Sequence, residues 1–149
     1  MKRILFVCLG NICRSPLAEG IAKHRAKQMG LDVYVESAGT SSYHSGEKPC
    51  HNSIAIARQY GIDISSQRSR AVHMDDIKNF DMVIALDEQN KRDLLKMGFG
   101  KVTKLGHYAN YNDQDVPDPY YYSGMDGFER VYKMIDECVE DMLKSFVDR

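Results

Sequence analysis

Cys8 and Arg14 stand with five residues between them, in the run Cys8-Leu9-Gly10-Asn11-Ile12-Cys13-Arg14-Ser15-Pro16. A thiol and a guanidinium confined to one turn make a phosphate-sized anion site with a nucleophile at its floor. The apolar run Ile4-Leu5-Phe6-Val7 before the turn reads as a buried strand. After it, Leu17, Ala18, Ile21, Ala22 and Met29 recur at helical spacing. To join that strand to that helix, the segment from Leu9 through Ile12 and Cys13 must fold back on itself. Its backbone N–H groups then point inward as an anion-binding nest. The helix start adds a partial positive charge and Arg14 a whole one. Cys8 is therefore expected to ionise well below the ordinary thiol pKa of about 8.5. The same donors would hold three phosphate oxygens, with the planar fork of Arg14 gripping two. Gly10 permits close approach of the anion, and Asn11 tolerates a left-handed backbone. Ser15 suits the helix N-cap and Pro16 the first helical position, and Glu19 lies near enough to the helix start to favour its dipole.

A lone strand-end cysteine is commonly an inert small hydrophobe, but the arginine, serine and helix start around Cys8 argue against that here. A Walker loop is excluded, because no Gly-Lys-Ser/Thr follows at the required spacing. A dinucleotide fingerprint is excluded because Gly10 stands alone.

Expelling an alcohol or phenol from phosphate calls for a proton donor. Asp113, Asp115 and Asp118 in the irregular stretch after Gly106 are all candidates, and Asp118 is favoured because Pro117 and Pro119 stiffen the backbone around it. A carboxyl near a thiolate and a bound dianion is expected to have a raised pKa. Tyr120, Tyr121 and Tyr122 follow at once, and aromatic faces suit a flat substrate ring as well as they suit anchoring the loop.

The elements that position these residues alternate. Strand-like runs at 3–9, 33–37, 82–86 and 102–105 are separated by helical patterns at 16–29, 49–60, 75–80 and 88–97. A terminal helix carries one apolar stripe from Phe128 through Tyr132, Ile135 and Val139 to Leu143 and Phe146. This is the pattern of an α/β three-layer sandwich: a parallel sheet with helices on both faces and ligands beyond the strand carboxyl ends, where Cys8 stands. The stretches 38–48 and 106–127 lack periodicity and read as loops, the second long enough to signal function. At 149 residues the chain is expected to be a single domain, 1–149. A net charge of -1 argues against nucleic acid as a partner. No apolar run reaches membrane-spanning length, and Met1-Lys2-Arg3 leads straight into a strand rather than a signal peptide. Four scattered cysteines do not make a disulfide scaffold, and a required thiolate favours the cytoplasm. The cysteines and the five histidines lack metal-ligand spacing, so no metal and no cofactor are expected.

The segment from Cys8 to Glu19 resembles the signature of the low-molecular-weight protein tyrosine phosphatases, and Asp118-Pro119-Tyr120-Tyr121 resembles that family's second mark. The resemblance spans essentially the whole chain. It implies four parallel strands, with Cys8, Arg14, Ser15 and Asp118 as catalytic residues. Phosphate would be bound by the loop Leu9, Gly10, Asn11, Ile12 and Cys13. Aromatic walls would come from Tyr120 and Tyr121, a specificity residue from Tyr43, and a brace for Asn11 from Ser37. Tyr122 looks like an extra. The implied partners are phosphotyrosine-containing proteins, and the implied assembly is a monomer or weak dimer. The chain departs from many relatives where they carry a histidine in the buried network behind the loop. Here Ile64-Ser65-Ser66-Gln67 stands instead, so that network must close through a hydroxyl or amide.

Three other readings compete. Arsenate reductases of this fold relay oxidation through further cysteines, and Cys50 and Cys138 do not form the close pair in sequence that this needs. The phosphoarginine phosphatase branch typically has Thr where Ile12 stands and lacks the double tyrosine. A phosphocarrier would need neither Arg14 nor Asp118. Cys13, across the same loop from Cys8, is either a small core-facing side chain or the partner of Cys8 in a reversible disulfide.

Overall fold

The computed structural model describes residues 1–121 and 124–147. Strand β1 (Lys2–Cys8) is followed by α1 (Arg14–Met29), β2 (Val33–Gly39), α2 (His51–Gln59), α3 (Asp76–Asn79), β3 (Met82–Ala85), α4 (Glu88–Lys96), β4 (Thr103–Lys104) and α5 (Asp126–Val147). The four strands pair in the order β2-β1-β3-β4, all parallel. β1 is central because it can be buried on both faces: Ile4 to Val7 are fully buried. Its side chains alternate between two cores. Ile4, Phe6 and Cys8 face the core formed with α1, α2 and α5, while Leu5 and Val7 face the core closed by Phe80, Leu94 and Phe99. Helices thus cover both sheet faces, as expected of a three-layer α/β sandwich. The apolar stripe of α5 is buried from Phe128 to Leu143, with Phe146 packed at its margin.

The elements match the expected ones apart from their ends. The run expected to be a strand over 102–105 shortens to two residues, because Leu105 already opens a 3-10 turn, Leu105–His107. α2 begins at His51 rather than at Pro49, since Cys50 before it is extended (φ -60°, ψ 149°). α1 starts earlier than expected, at Arg14. Ser15 is therefore not the N-cap, and Pro16 is the third helical residue, where its missing N–H is still one of the unpaired four. The loop has already turned at Asn11 (φ 57°), which brings the chain to helical geometry two residues sooner and frees Ser15 to face inward.

The long segment after β4 is folded tightly on itself. Ala109, Asn110, Asn112 and Asp113 all have positive φ, and Asp113 N–H donates to Gly106 O at 2.9 Å. A Cβ on Gly106 would lie 1.9 Å from Gln114 O, a backbone atom that cannot step aside. Gly106→Ala is therefore expected to cost about 2 kcal/mol or more, a fall in Tm of roughly 5 °C by calorimetry. An unchanged Tm would show that this segment is not held as described.

Candidate active site

Cys8 ends β1 and is 3% exposed, its sulfur at the floor of a cleft of about 460 Å³. Asn11 N–H donates to Cys8 Sγ at 3.3 Å, and Ser15 Oγ lies 3.0 Å from the same sulfur. The proton on that hydroxyl can be assigned by counting donors. Asn11 Oδ1 accepts from Arg70 N–H at 3.1 Å, so its amide nitrogen faces the other way. Both hydrogens of Nδ2 are used, one on Ser15 Oγ at 2.8 Å and one on Ser37 Oγ at 2.9 Å. Ser37 gives its own proton to Glu19 Oε1 at 2.7 Å, and Glu19 Oε2 takes a bond from Lys23 Nζ at 2.7 Å. Ser15, already accepting from Asn11, is left to donate to Cys8. The buried carboxylate of Glu19 thus sets the direction of a chain that ends on the thiol, and this, not service to the helix dipole, is where the structure puts Glu19.

The loop is also tied by its backbone. Ser41 N–H donates to Leu9 O at 2.9 Å, and Ser69 Oγ donates to Gly10 O at 2.9 Å. Gly39 is required for that closeness, since a Cβ there would stand 2.7 Å from Leu9 O. Where a histidine was missing from the sequence pattern, the network closes through the Ser69 hydroxyl and Arg70 N–H. Gln67 spends its amide instead on Pro16 O at 3.2 Å, and Ser65 bonds Asp63.

Arg14 is the first residue of α1. Its Nη1 donates to Asp87 Oδ2 at 2.8 Å and to Val116 O at 2.9 Å, so the Nε–Nη2 edge carries neither bond. Burial works against the guanidinium charge, but the Cys8 sulfur and the Asp87 carboxylate outweigh it and raise the Arg14 pKa. Asp87 itself is fixed as the N-cap of α4, accepting from Asn90 N–H at 2.8 Å. Asp87→Asn is expected to leave Arg14 loosely held and weaken inhibition by inorganic phosphate about tenfold. Unaltered inhibition would show that Arg14 needs no such support.

The opposite wall comes from residues more than a hundred positions later. Asp118 lines the cleft with Cys8 and Arg14, and its Oδ1 accepts from Tyr120 N–H at 2.9 Å. Tyr120 is 62% exposed and packs edge-on against Phe128 at 5.3 Å, and burial together with the nearby Cys50 and Cys13 sulfurs pushes its phenol pKa up. Tyr121 closes the 3-10 turn Pro119–Tyr121, but its side chain and the whole of Tyr122 lie outside the described residues. Leu9, Gly10, Ile12, Tyr43 and His44 complete the rim. Tyr43 is 84% exposed and stands edge-on to His44, whose ring pairs with Glu47. The other two candidate acids are elsewhere. Asp113 is exposed, with His107 3.8 Å away. Asp115 is also exposed, but it takes bonds from Lys104 Nζ at 2.7 Å and Glu88 N–H at 2.9 Å. Burial opposes its charge, but those donors hold its carboxyl below the usual range.

Cys13 does not merely fill the core. Its thiol donates to Cys50 Sγ at 2.7 Å, and Cys50 Sγ lies 3.1 Å from Ser53 Oγ. Through the hydrogen bond it accepts from Cys13, and against burial, Cys50 is pulled down to about 6. The same bond and burial push the Cys13 thiol up. Among the described residues no group of three or more His, Cys, Asp or Glu is placed to hold a metal ion. No helix there is long and apolar enough to cross a membrane.

Sequence reasoning did not find Asp87, Glu19's role, Ser69, Arg70, His44 or Cys50. Only Asp87 carried a usable signal, an aspartate directly before an expected helix start.

Comparison with known proteins agrees with this geometry. The family model described as low molecular weight phosphotyrosine protein phosphatase matches residues 3–149. The chain is 36% identical over 149 residues to a low molecular weight protein-tyrosine-phosphatase of Staphylococcus epidermidis, covering 97% of this chain and 96% of that one. Among solved structures, a protein tyrosine phosphatase from Entamoeba histolytica superposes with a TM-score of 0.91 at 33% identity, covering 100% of this chain and 97% of that one. A Drosophila arginine phosphatase superposes at 0.90 with 35% identity and 98% coverage of both. With a thiol, a guanidinium and a carboxyl converging on one anion-sized loop, and with these likenesses across the whole chain, the protein belongs to the low molecular weight phosphotyrosine protein phosphatase family.

Proposed function

We propose that residues 1–149 act as one phosphatase domain that hydrolyses phosphotyrosine in proteins by two in-line phosphoryl transfers. The observation that carries this reading is the convergence on Cys8 Sγ of the Asn11 amide and the Ser15 hydroxyl, in a cleft that Arg14 and Asp118 also line. Cys8 thiolate attacks phosphorus while Asp118 gives its proton to the departing phenol oxygen. The loop amides of Leu9 to Cys13 and the free edge of Arg14 take the equatorial oxygens, where charge develops in the transition state. Asp118, now a carboxylate, removes a proton from the water that attacks the cysteinyl phosphate. Ser15, donating to sulfur, stabilises it as the leaving group, and Ser37 keeps Asn11 in place. No step calls for a metal, because Arg14 and the amides supply the positive charge. Tyr120 offers a face for the substrate ring, and Tyr43 stands at the mouth where it meets the residues flanking it. A reducing cytoplasm suits a mechanism that needs Cys8 as a thiolate.

Ile12 on the rim separates this reading from arginine dephosphorylation: a branched apolar side chain suits an aromatic ring better than a guanidinium. Steady-state phosphate release from matched phosphotyrosine and phosphoarginine peptides tests this directly. A preference of about tenfold or more in kcat/KM for phosphotyrosine is expected, and the reverse preference would overturn it. Reduction of arsenate at the expense of thiol, without phosphate release from either peptide, would overturn the phosphatase reading as a whole.

A further inference from the structure

The thiol that the structure places against Cys13 belongs to Cys50, not to Cys8. The two sulfurs are 2.7 Å apart, and their backbones are clamped to one another. Cys50 N–H donates to Ile12 O at 2.6 Å, and Ser53 Oγ donates to Cys13 O at 3.1 Å. Closing to a disulfide of about 2.05 Å needs a movement of well under 1 Å. Cys8, by contrast, is already occupied at the loop floor by Ser15 and the Asn11 amide.

We propose that Cys13 and Cys50 form a second thiol site, a dithiol that reacts with hydroperoxides and closes to a Cys13–Cys50 disulfide, leaving Cys8 out of the bond.

Cys50 is the attacking thiol. It sits at the N-cap of α2 and accepts a hydrogen bond from Cys13, both of which favour the thiolate. The sulfur attacks the near oxygen of the peroxide, and the O–O bond breaks. Cys50 becomes a sulfenic acid, and the departing alkoxide or hydroxide takes the proton of Cys13. The Cys13 thiolate then attacks the Cys50 sulfur and expels hydroxide, which combines with the proton that Cys50 released on ionising to give water. Two thiols and one hydroperoxide thus give one disulfide, one alcohol (or water) and one water. Both residues are half-buried, and Cys13 lines the cleft itself, so a small oxidant can reach the pair. The bond would form at the edge of the cleft that Cys13 and Tyr120 line together, and Tyr120 N–H holds Asp118.

The site goes beyond the phosphatase reading and is tested without measuring turnover. The reduced full-length protein is treated with a small molar excess of hydrogen peroxide, its remaining thiols are alkylated, and disulfide-linked peptides are identified by mass spectrometry. A peptide pair joining Cys13 to Cys50 is expected in wild type and equally in Cys8→Ser. In Cys50→Ser the link should vanish. A Cys8–Cys13 link in wild type with Cys50 still alkylated would overturn the proposal. So would loss of the Cys13–Cys50 link in Cys8→Ser, since it would make Cys8 the entry point of the oxidant. Dithiothreitol is expected to return both thiols to the alkylated pool, and failure to do so would show oxidation beyond the disulfide and overturn the closure.

Discussion

Cys8→Ser is expected to lower turnover of an aryl phosphate by about 10⁴-fold or more, while the protein stays folded. The reason is chemical rather than structural. A hydroxyl at this position keeps the contacts with Ser15 and the Asn11 amide, but neither group can take its proton, and both only donate. A thiol is a far stronger acid than a hydroxyl, so a serine here would need a base that these two donors do not provide. Phosphate release from p-nitrophenyl phosphate, with thermal unfolding to verify the fold, measures the effect. A variant that turned over within tenfold of wild type would remove Cys8 from the role of nucleophile. The same variant should still bind inorganic phosphate, since Arg14 and the amides are untouched.

The second large effect is expected at Asp118 and depends on the substrate. Asp118→Ala should slow release of a phenol by about 10²–10⁴-fold, the usual worth of a positioned general acid. An acidic leaving group such as p-nitrophenol departs as its anion and needs the proton less, so its ester should lose far less. Because Asp118 Oδ1 also accepts from Tyr120 N–H, Asp118→Asn is a useful companion: it keeps an acceptor for that bond and lacks the acid proton. Matching losses for phenyl and p-nitrophenyl phosphate in both variants would refute acid catalysis and leave Asp118 a role in shaping the loop.

Most of the fold was legible because its signals are local. Ile4 to Val7 is apolar at every position, and only a strand buried on both faces uses such a run, which is why β1 is central. The stripe on α5 repeats at helical spacing and is buried as a face. The errors lie at element ends, where tertiary contacts compete with capping preferences. Ser15 has the chemistry of an N-cap, but a buried thiol and a buried amide claim its hydroxyl, so α1 starts without it. Asp115 looks like any loop aspartate until β4 brings Lys104 against it.

The candidate site divides in the same way. By itself the sequence determined that a thiol and an arginine occupy one turn between a strand and a helix, because covalent spacing and helix geometry leave that turn no other shape. It also determined that one aspartate is stiffened by two prolines. What it could not determine is which distant groups meet that turn, since contacts across 18, 59 or 73 positions are decided by how helices pack on the sheet. Only the tertiary structure sets Asp87 behind Arg14 and orders the proton chain from Glu19 to Cys8. It also decides Cys13's partner: within the loop Cys8 is the near thiol, but α2 packs its first residues against the loop and places Cys50 there instead.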